Sequence, residues 1–97
     1  MGYRLSRAAD EDLVLVLLIG EREFGFARAE RYVREMHRVF DLLAENPRLG
    51  PERPEVLPGL RVHAFRSHLI LYVLDENDDV LVVRVRHARE DWTHAPV

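Results

Sequence analysis

The first half of the chain combines a short strand pattern with a helical one. Residues 3–6 alternate polar and apolar side chains, which is typical of a β-strand. Ser6 is a favoured N-cap residue, and the acidic residues 10–12 would be stabilised at the positive end of a helix dipole. The segment 13–19, LVLVLLI, is apolar on all sides, so its periodicity also permits a buried strand. The acidic first turn favours a helix, whose second apolar face then needs a cover from the fold or from a partner.

A clearer helical pattern covers residues 26–45. One apolar stripe is formed by Phe26, Ala29, Val33, Met36, Phe40 and Leu43. Gly25 separates this pattern from the preceding one, and Asn46-Pro47 is a helix stop signal. The two segments therefore predict an αα-hairpin.

The second half of the chain predicts a loop followed by strands. Residues 46–59 hold four of the five prolines and read as a stiffened loop. Three strand patterns follow, at residues 60–65, 68–74 and 80–87. Arg66-Ser67 is a tight connection, and residues 75–79 form an acidic hairpin tip. The order β-α-α-β-β-β predicts one α+β domain over residues 1–97, with a two-helix hairpin on one face of a small, mainly antiparallel sheet.

Strand alternation predicts a basic sheet surface. Residues two apart on a strand share a face, and one face of the strands at 60–65 and 80–87 would carry Arg61, His63, Arg84 and Arg86. If the helices cover the purely apolar face, these four residues gather on the exposed one. No acidic residue lies within 60–74 or 80–89, although the net charge of the chain is −3. The simpler interpretation is that exposed strand positions are usually polar and that arginine protects sheet edges.

Composition limits the available chemistry. All 14 cationic residues are arginine and there is no cysteine, which excludes lysine bases, disulfides and cysteine nucleophiles. The five histidines lack the spacing of a metal site, so we expect no metal and no cofactor. His68 and His87 either form structural hydrogen bonds or titrate near neutral pH. No signal peptide is visible and the longest apolar run is too short to span a bilayer, so we expect a cytoplasmic protein without membrane contact.

Six sequence pieces point to a family. They are YRLSRAADEDL at 3–13, FG at 24–25, LAENPRLG at 43–50, PGLR at 58–61, HLILY at 68–72 and VRVRHARED at 83–91. In this order and spacing they resemble the ParE branch of the RelE/ParE toxin superfamily, over nearly the whole chain. The resemblance implies the β-α-α-β-β-β fold and the toxin half of a bacterial type II toxin–antitoxin pair. It also implies a tightly bound ParD-like antitoxin, in a hetero-oligomer, and inhibition of DNA gyrase by binding.

Two other functions stay open at this point. RelE-like members cleave mRNA on the ribosome, and His63, His87, Arg61, Arg84 and Arg86 could supply that chemistry. The absence of lysine and the position of the last tyrosine, Tyr72, in the middle of the chain argue against it. The third hypothesis is a diverged member that binds its antitoxin without being toxic.

The candidate site residues follow from the basic strands and the apolar first helix. For contact with the target or the antitoxin we predict Arg61, His63, Arg66, Arg84, Arg86, His87, Arg89, Asp91 and Trp92. For apolar contact with the antitoxin we predict Leu15, Leu18 and Ile19. We expect no catalytic residue, and no DNA binding by the chain alone. Acidic antitoxin residues are expected to meet the arginines, so Arg84→Glu should weaken antitoxin binding more than Arg48→Glu.

Overall fold

The computed structural model describes residues 2–97, in which two helices pack on a four-stranded sheet. The elements are β1 (Tyr3–Leu5), α1 (Arg7–Phe24), α2 (Phe26–Glu45), β2 (Arg61–Phe65), β3 (His68–Leu74) and β4 (Val80–His87). The predicted α+β order is confirmed, and each predicted strand boundary agrees to within one residue. Neither described helix is long and apolar enough to cross a membrane.

Ser6 begins α1 and attaches it to the sheet. Its hydroxyl oxygen accepts a hydrogen bond from the Ala9 amide at 3.0 Å and donates one to the Val83 carbonyl at 2.8 Å. The predicted N-cap is therefore confirmed. At the other end of α1, Gly25 has a φ of 90°, a conformation that favours glycine and lets the chain reverse into α2.

The sheet has the strand order β1-β4-β3-β2. β1 runs parallel to β4, whereas β3 is antiparallel to both β2 and β4. β1 pairs only with residues 80–82, so the second half of β4 has no strand on that side. This open edge of β4 lies beneath α1, and the candidate site is built around it.

The main core lies between the helices and the sheet. Its buried members are Ala9, Leu13, Met36, Phe40, Leu43, Ile70, Tyr72, Val80, Val82 and Val85. Ile70 and Tyr72 of β3 face this core, whereas Leu71 faces the opposite side and is also fully buried. The prediction that residues 68–74 form a central strand is confirmed.

The opposite face of the sheet is also covered, in contrast to the prediction of an exposed basic surface. Leu60, Val62, Leu71 and Trp92 form a second, smaller core there. Trp92 comes from the segment after β4, and the Arg53 guanidinium lies over its ring, 5.1 Å from the centroid. The loop before β2 and the C-terminal segment therefore close this face.

A β-bulge explains why strand alternation failed on β4. The register with β3 shifts, so that Leu71 lies opposite Arg84 but Tyr72 lies opposite Val82. One extra residue on β4 changes the side to which later residues point. Val82 and Val85 consequently both face the helices, although simple alternation had put them on opposite faces.

The predicted faces of β2 were reversed. Arg61 lies opposite Tyr72 and His63 lies opposite Ile70, and residues directly opposite each other share a face of the sheet. Arg61 and His63 therefore lie on the helix side of the sheet. Val62, on the opposite face of β2, belongs to the second core.

Tyr72 carries a buried hydroxyl that fixes the loop after α2. The hydroxyl accepts a hydrogen bond from the Gly50 amide at 2.9 Å and donates one to the Pro47 carbonyl at 2.8 Å. A Cβ on Gly50 would lie 2.8 Å from the hydroxyl oxygen, so the close approach requires glycine.

We expect Tyr72→Phe to lower the free energy of unfolding by about 1–2 kcal/mol, because a buried amide and a carbonyl lose their partner. Urea denaturation measures the change. Tyr3→Phe is the control, because the Tyr3 hydroxyl bonds a half-buried His37 side chain and leaves no buried backbone group unpaired. Equal losses for the two variants would contradict the role assigned to Tyr72.

Candidate functional site

A groove of about 530 Å³ runs between α1, the first turns of α2 and the adjoining ends of β3 and β4. Its apolar wall includes Leu15, Val16, Ile19, Phe24 and Ala29. Its polar end includes Tyr32, Arg66, His68, His87 and Glu90. An apolar trough with a polar end has the form that receives an amphipathic helix.

The outer face of α1 extends this groove as an apolar surface. Leu15, Leu18 and Ile19 are 55%, 53% and 46% exposed, and Val14 beside them is equally open. Leu15 and Ile19 also line the groove, so the two features are continuous. The second apolar face of α1, for which the sequence requires a cover, has none within residues 2–97. Contiguous exposed apolar surface of this kind marks an interaction site.

Two histidine rings meet at the polar end. His68 and His87 are opposite each other on β3 and β4, with ring centroids 5.3 Å apart and the rings nearly perpendicular. The Tyr32 hydroxyl is 2.7 Å from His68 Nδ1, and His87 Nδ1 accepts a hydrogen bond from the Arg89 amide at 3.1 Å. α2 thus supplies the tyrosine, and the hairpin register supplies the pair of rings.

Burial keeps His68 and Tyr32 uncharged at neutral pH. Desolvation lowers the pKa of His68 below its usual value, and the neighbouring His87 lowers it further, against the opposing effect of Glu90. Burial raises the pKa of Tyr32. His68 is therefore a neutral ring at pH 7, and Tyr32 keeps its hydroxyl hydrogen.

Arg84 is tied to α1 and does not project from the sheet. Its Nε and Nη2 atoms donate to the two carboxylate oxygens of Asp12 at 2.7 and 2.9 Å. Asp12 also accepts a hydrogen bond from the Val85 amide at 2.9 Å. The Asp12 carboxylate therefore pairs with the guanidinium and also accepts the hydrogen bond of the Val85 amide at the open edge of β4.

The other predicted arginines of the strands also have partners within the chain. Arg61 donates to the Gly50 carbonyl at 2.8 Å and to Glu52 at 3.0 Å. Arg86 donates to Glu90 at 2.9 Å and to the Ala95 carbonyl. Because these charges are compensated internally, the prediction that they form a free basic surface is wrong.

The remaining predicted residues are dispersed. Arg66 lies at the groove, 2.9 Å from the carboxylate of Glu35 in an ion pair without hydrogen-bond geometry. Asp91 is exposed and lies 2.7 Å from His94 Nδ1, while Arg89 is exposed. His63 is half-buried on the edge strand β2, where burial lowers its pKa. Trp92 is buried in the second core, so it is not available for contact in this conformation.

The structure brings Arg66 and His87 to the groove but adds residues that the sequence did not single out. These are Tyr32, Glu90, Phe24 and, as a site residue, His68. Counting back equally from the hairpin tip places His68 opposite Arg86, and the bulge in β4 shifts the register by one residue so that His68 lies opposite His87. The pairing of Asp12 with Arg84 left no local signal, because the two residues are far apart in the chain.

Comparisons with known proteins agree on one family. Residues 3–92 match the family model described as the ParE toxin of the type II toxin-antitoxin system parDE. The chain is 36% identical over 89 residues to Toxin ParE1 of Mycobacterium tuberculosis, covering 92% of this chain and 91% of that protein. It is 33% identical over 85 residues to Toxin ParE1 of Caulobacter vibrioides, covering 88% and 86%.

A solved structure shows the same fold. The chain aligns with a structure titled "Chromosomal ParDE TA system from P. aeruginosa" with a TM-score of 0.78. The alignment covers 90% of this chain and 95% of that chain, at 18% sequence identity.

Proposed function

Because this chain belongs to the ParE toxin family of type II toxin–antitoxin systems, we propose that it inhibits DNA gyrase by binding and that a ParD-like antitoxin neutralises it. The family membership carries this proposal. The proposed site of action is the cytoplasm, where the chain would meet both partners.

The antitoxin is proposed to dock on the groove and the adjoining face of α1. Leu15, Leu18 and Ile19 expose apolar side chains that the fold of residues 2–97 leaves uncovered. The helix-in-groove mode of recognition suits an amphipathic antitoxin helix, with its apolar side on α1 and its polar side toward solvent. This placement replaces the arginine-rich sheet as the expected antitoxin surface.

We expect purified toxin in excess to stop gyrase from supercoiling relaxed plasmid, and to increase the amount of cleaved plasmid. The reason is that a gyrase-binding toxin interrupts the enzyme between strand cleavage and resealing. Agarose gel electrophoresis of the plasmid measures both effects. Toxin pre-incubated with its antitoxin is the control and should leave supercoiling intact. The proposal would be contradicted if a toxin that kills cells on expression left supercoiling normal when added in excess to purified gyrase.

The alternative function, cleavage of mRNA on the ribosome, receives no support from the geometry. It requires free cationic groups for the phosphate, whereas Arg61, Arg84 and Arg86 are held by Glu52, Asp12 and Glu90. Primer extension on translated mRNA tests it directly, because an endonuclease would create new 5′ ends that depend on the toxin.

A further inference from the structure

The polar end of the groove presents two hydrogen-bond donors without an acceptor. The Tyr32 hydroxyl lies 2.7 Å from Nδ1 of His68, and we assign the hydroxyl as the donor of this bond and Nδ1 of the neutral ring as its acceptor. Nδ1 of His87 accepts from the Arg89 amide. Because both Nδ1 atoms act as acceptors, each ring carries its hydrogen on Nε2. Within residues 2–97, neither Nε2 atom has a hydrogen-bond partner.

We propose that Tyr32, His68 and His87 form a carboxylate-binding subsite at the end of the groove, where an aspartate or glutamate of the antitoxin binds and His68 takes up one proton. This inference rests on the proposed function, because it assigns a chemical character to one residue of the antitoxin. It also makes neutralisation of the toxin depend on pH.

The requirement for two acceptor oxygens selects a carboxylate. When a partner covers the groove, both Nε2–H groups leave water, and buried donors in proteins are almost always paired. A carboxylate has two oxygens and no hydrogen to donate, so one side chain can accept from both rings. A backbone or amide carbonyl has one oxygen and would serve both donors less well.

The arginines beside the subsite are already paired with carboxylates of this chain. A histidine is therefore left to supply the positive charge that balances a bound carboxylate. Toward α2 the cation is Arg66, which lies beside Glu35, and toward the end of β4 it is Arg86, which is bound by Glu90. Glu90 also accepts from the His87 amide and faces His68.

The pair on the α1 side, Arg84 and Asp12, is likewise internally compensated. Arg66, Arg84 and Arg86 are therefore each matched by a carboxylate of the same chain, whereas Arg89, next to this end, is exposed to solvent. An additional carboxylate from a partner is best balanced by protonation of a ring.

His68 can accept a proton at little structural cost. When Nδ1 of His68 becomes protonated, it donates to the Tyr32 oxygen, and the hydroxyl hydrogen turns toward the groove. His87 has no such exchange, because its Nδ1 accepts from a backbone amide that cannot reverse. The proton is therefore assigned to His68.

The direction of the pH effect follows from the two states of His68. In the free toxin, burial lowers its pKa, so the ring is neutral at pH 7. A bound carboxylate raises that pKa, so the complex holds more protons than the separate proteins. By linkage the affinity then rises as the pH falls, and it levels off below the pKa of the free toxin.

The test measures the affinity of the toxin for the ParD-like protein that co-purifies with it, by calorimetry between pH 8 and pH 6. We expect the affinity to rise by up to about tenfold per pH unit, the limit for one proton taken up. His68→Gln keeps a donor but cannot take up a proton, so its affinity should lose the pH dependence. His94→Gln, in the exposed C-terminal segment, is the matched control and should behave like the parent chain.

Arg28→Gln separates fixed charge from titration. Arg28 lies at the far end of the groove, stacked on Phe24 with its guanidinium 5.1 Å from the ring centroid. Because a guanidinium stays charged throughout this range, its loss should change the affinity equally at pH 8 and pH 6.

Two outcomes overturn the inference and leave the proposed function standing. One is a complex whose affinity is unchanged or falls as the pH falls, and the other is a His68→Gln variant that keeps the full pH dependence. Nitrogen NMR of the free toxin adds a test without the partner, since a hydrogen on Nδ1 of either ring at pH 8 would also overturn it. Failure to form a complex at any pH would overturn the proposed function and this inference together.

Discussion

Replacing Asp12 with alanine should lower the free energy of unfolding by about 3 kcal/mol, because the partly buried charge of Arg84 is left without a partner. The Arg84 and Asp12 side chains are only 24% and 12% exposed. Without the carboxylate, the Arg84 guanidinium loses both hydrogen bonds and the Val85 amide at the open edge of β4 loses its acceptor. Chemical denaturation followed by circular dichroism measures the loss.

An exposed ion pair provides the control for this effect. Arg48 and Asp78 are each 64% exposed and lie 3.4 Å apart, and exposed pairs contribute about 0–1 kcal/mol. We therefore expect Asp78→Ala to change the unfolding free energy little. Replacing Asp12 and Arg84 together with apolar residues should restore part of the loss, because no unpaired charge is then left behind. If Asp12→Ala is as stable as Asp78→Ala, the pair does not fasten α1 to β4.

This pair changes the meaning of the substitution predicted from the sequence. Arg84→Glu would still weaken antitoxin binding more than Arg48→Glu, but through the fold. A glutamate at position 84 would face Asp12, and like charges at this distance repel. The resulting shift of α1 would move Leu15 and Ile19, which line the groove. A binding defect of Arg84→Glu is therefore informative only beside a measurement of its stability.

The fold was predictable because its signals are local. The N-cap at Ser6, the glycine between the helices and the stripe on α2 each lie within a few residues, and each determines the backbone at its own position. The apolar run at 13–19 was the ambiguous element, and the acidic turn before it resolved it correctly as a helix. The same run gave the most useful prediction about the site, that one face of α1 lacks a cover.

The site was less predictable because it depends on contacts between distant parts of the chain. A single bulge in β4 put Val82 and Val85 on the same side, and no residue type marks that bulge in the sequence. The partners of the arginines come from α1, the loop before β2 and the C-terminal segment, and alternation along one strand cannot identify them. Trp92 illustrates the consequence: a terminal aromatic residue looked like a contact residue but closes the second core.

Ile19→Glu should weaken antitoxin binding by at least about a hundredfold, because it puts a charge on the apolar wall that a partner helix would desolvate. The fold should be unaffected, since the Ile19 side chain is 46% exposed in the free chain. In cells, co-expressed antitoxin should no longer protect against this variant, while the parent toxin remains neutralised. Calorimetry and a growth assay measure the two effects, and thermal denaturation verifies that the variant folds.

Leu42→Glu is the matched control for Ile19→Glu, because it places the same charge on α2 at a leucine that is 43% exposed and does not line the groove. It should bind antitoxin like the parent chain, because its added charge lies outside the groove. Any general effect of an added carboxylate on solubility or net charge is common to both variants.

The pair of variants also separates the remaining hypotheses about activity. If Ile19→Glu escapes the antitoxin and arrests growth, the chain is an active toxin whose restraint depends on the α1 face. If it escapes the antitoxin and growth is normal, the chain is a diverged member that binds its antitoxin without being toxic. If the two variants bind antitoxin equally, the apolar face of α1 is not the docking surface.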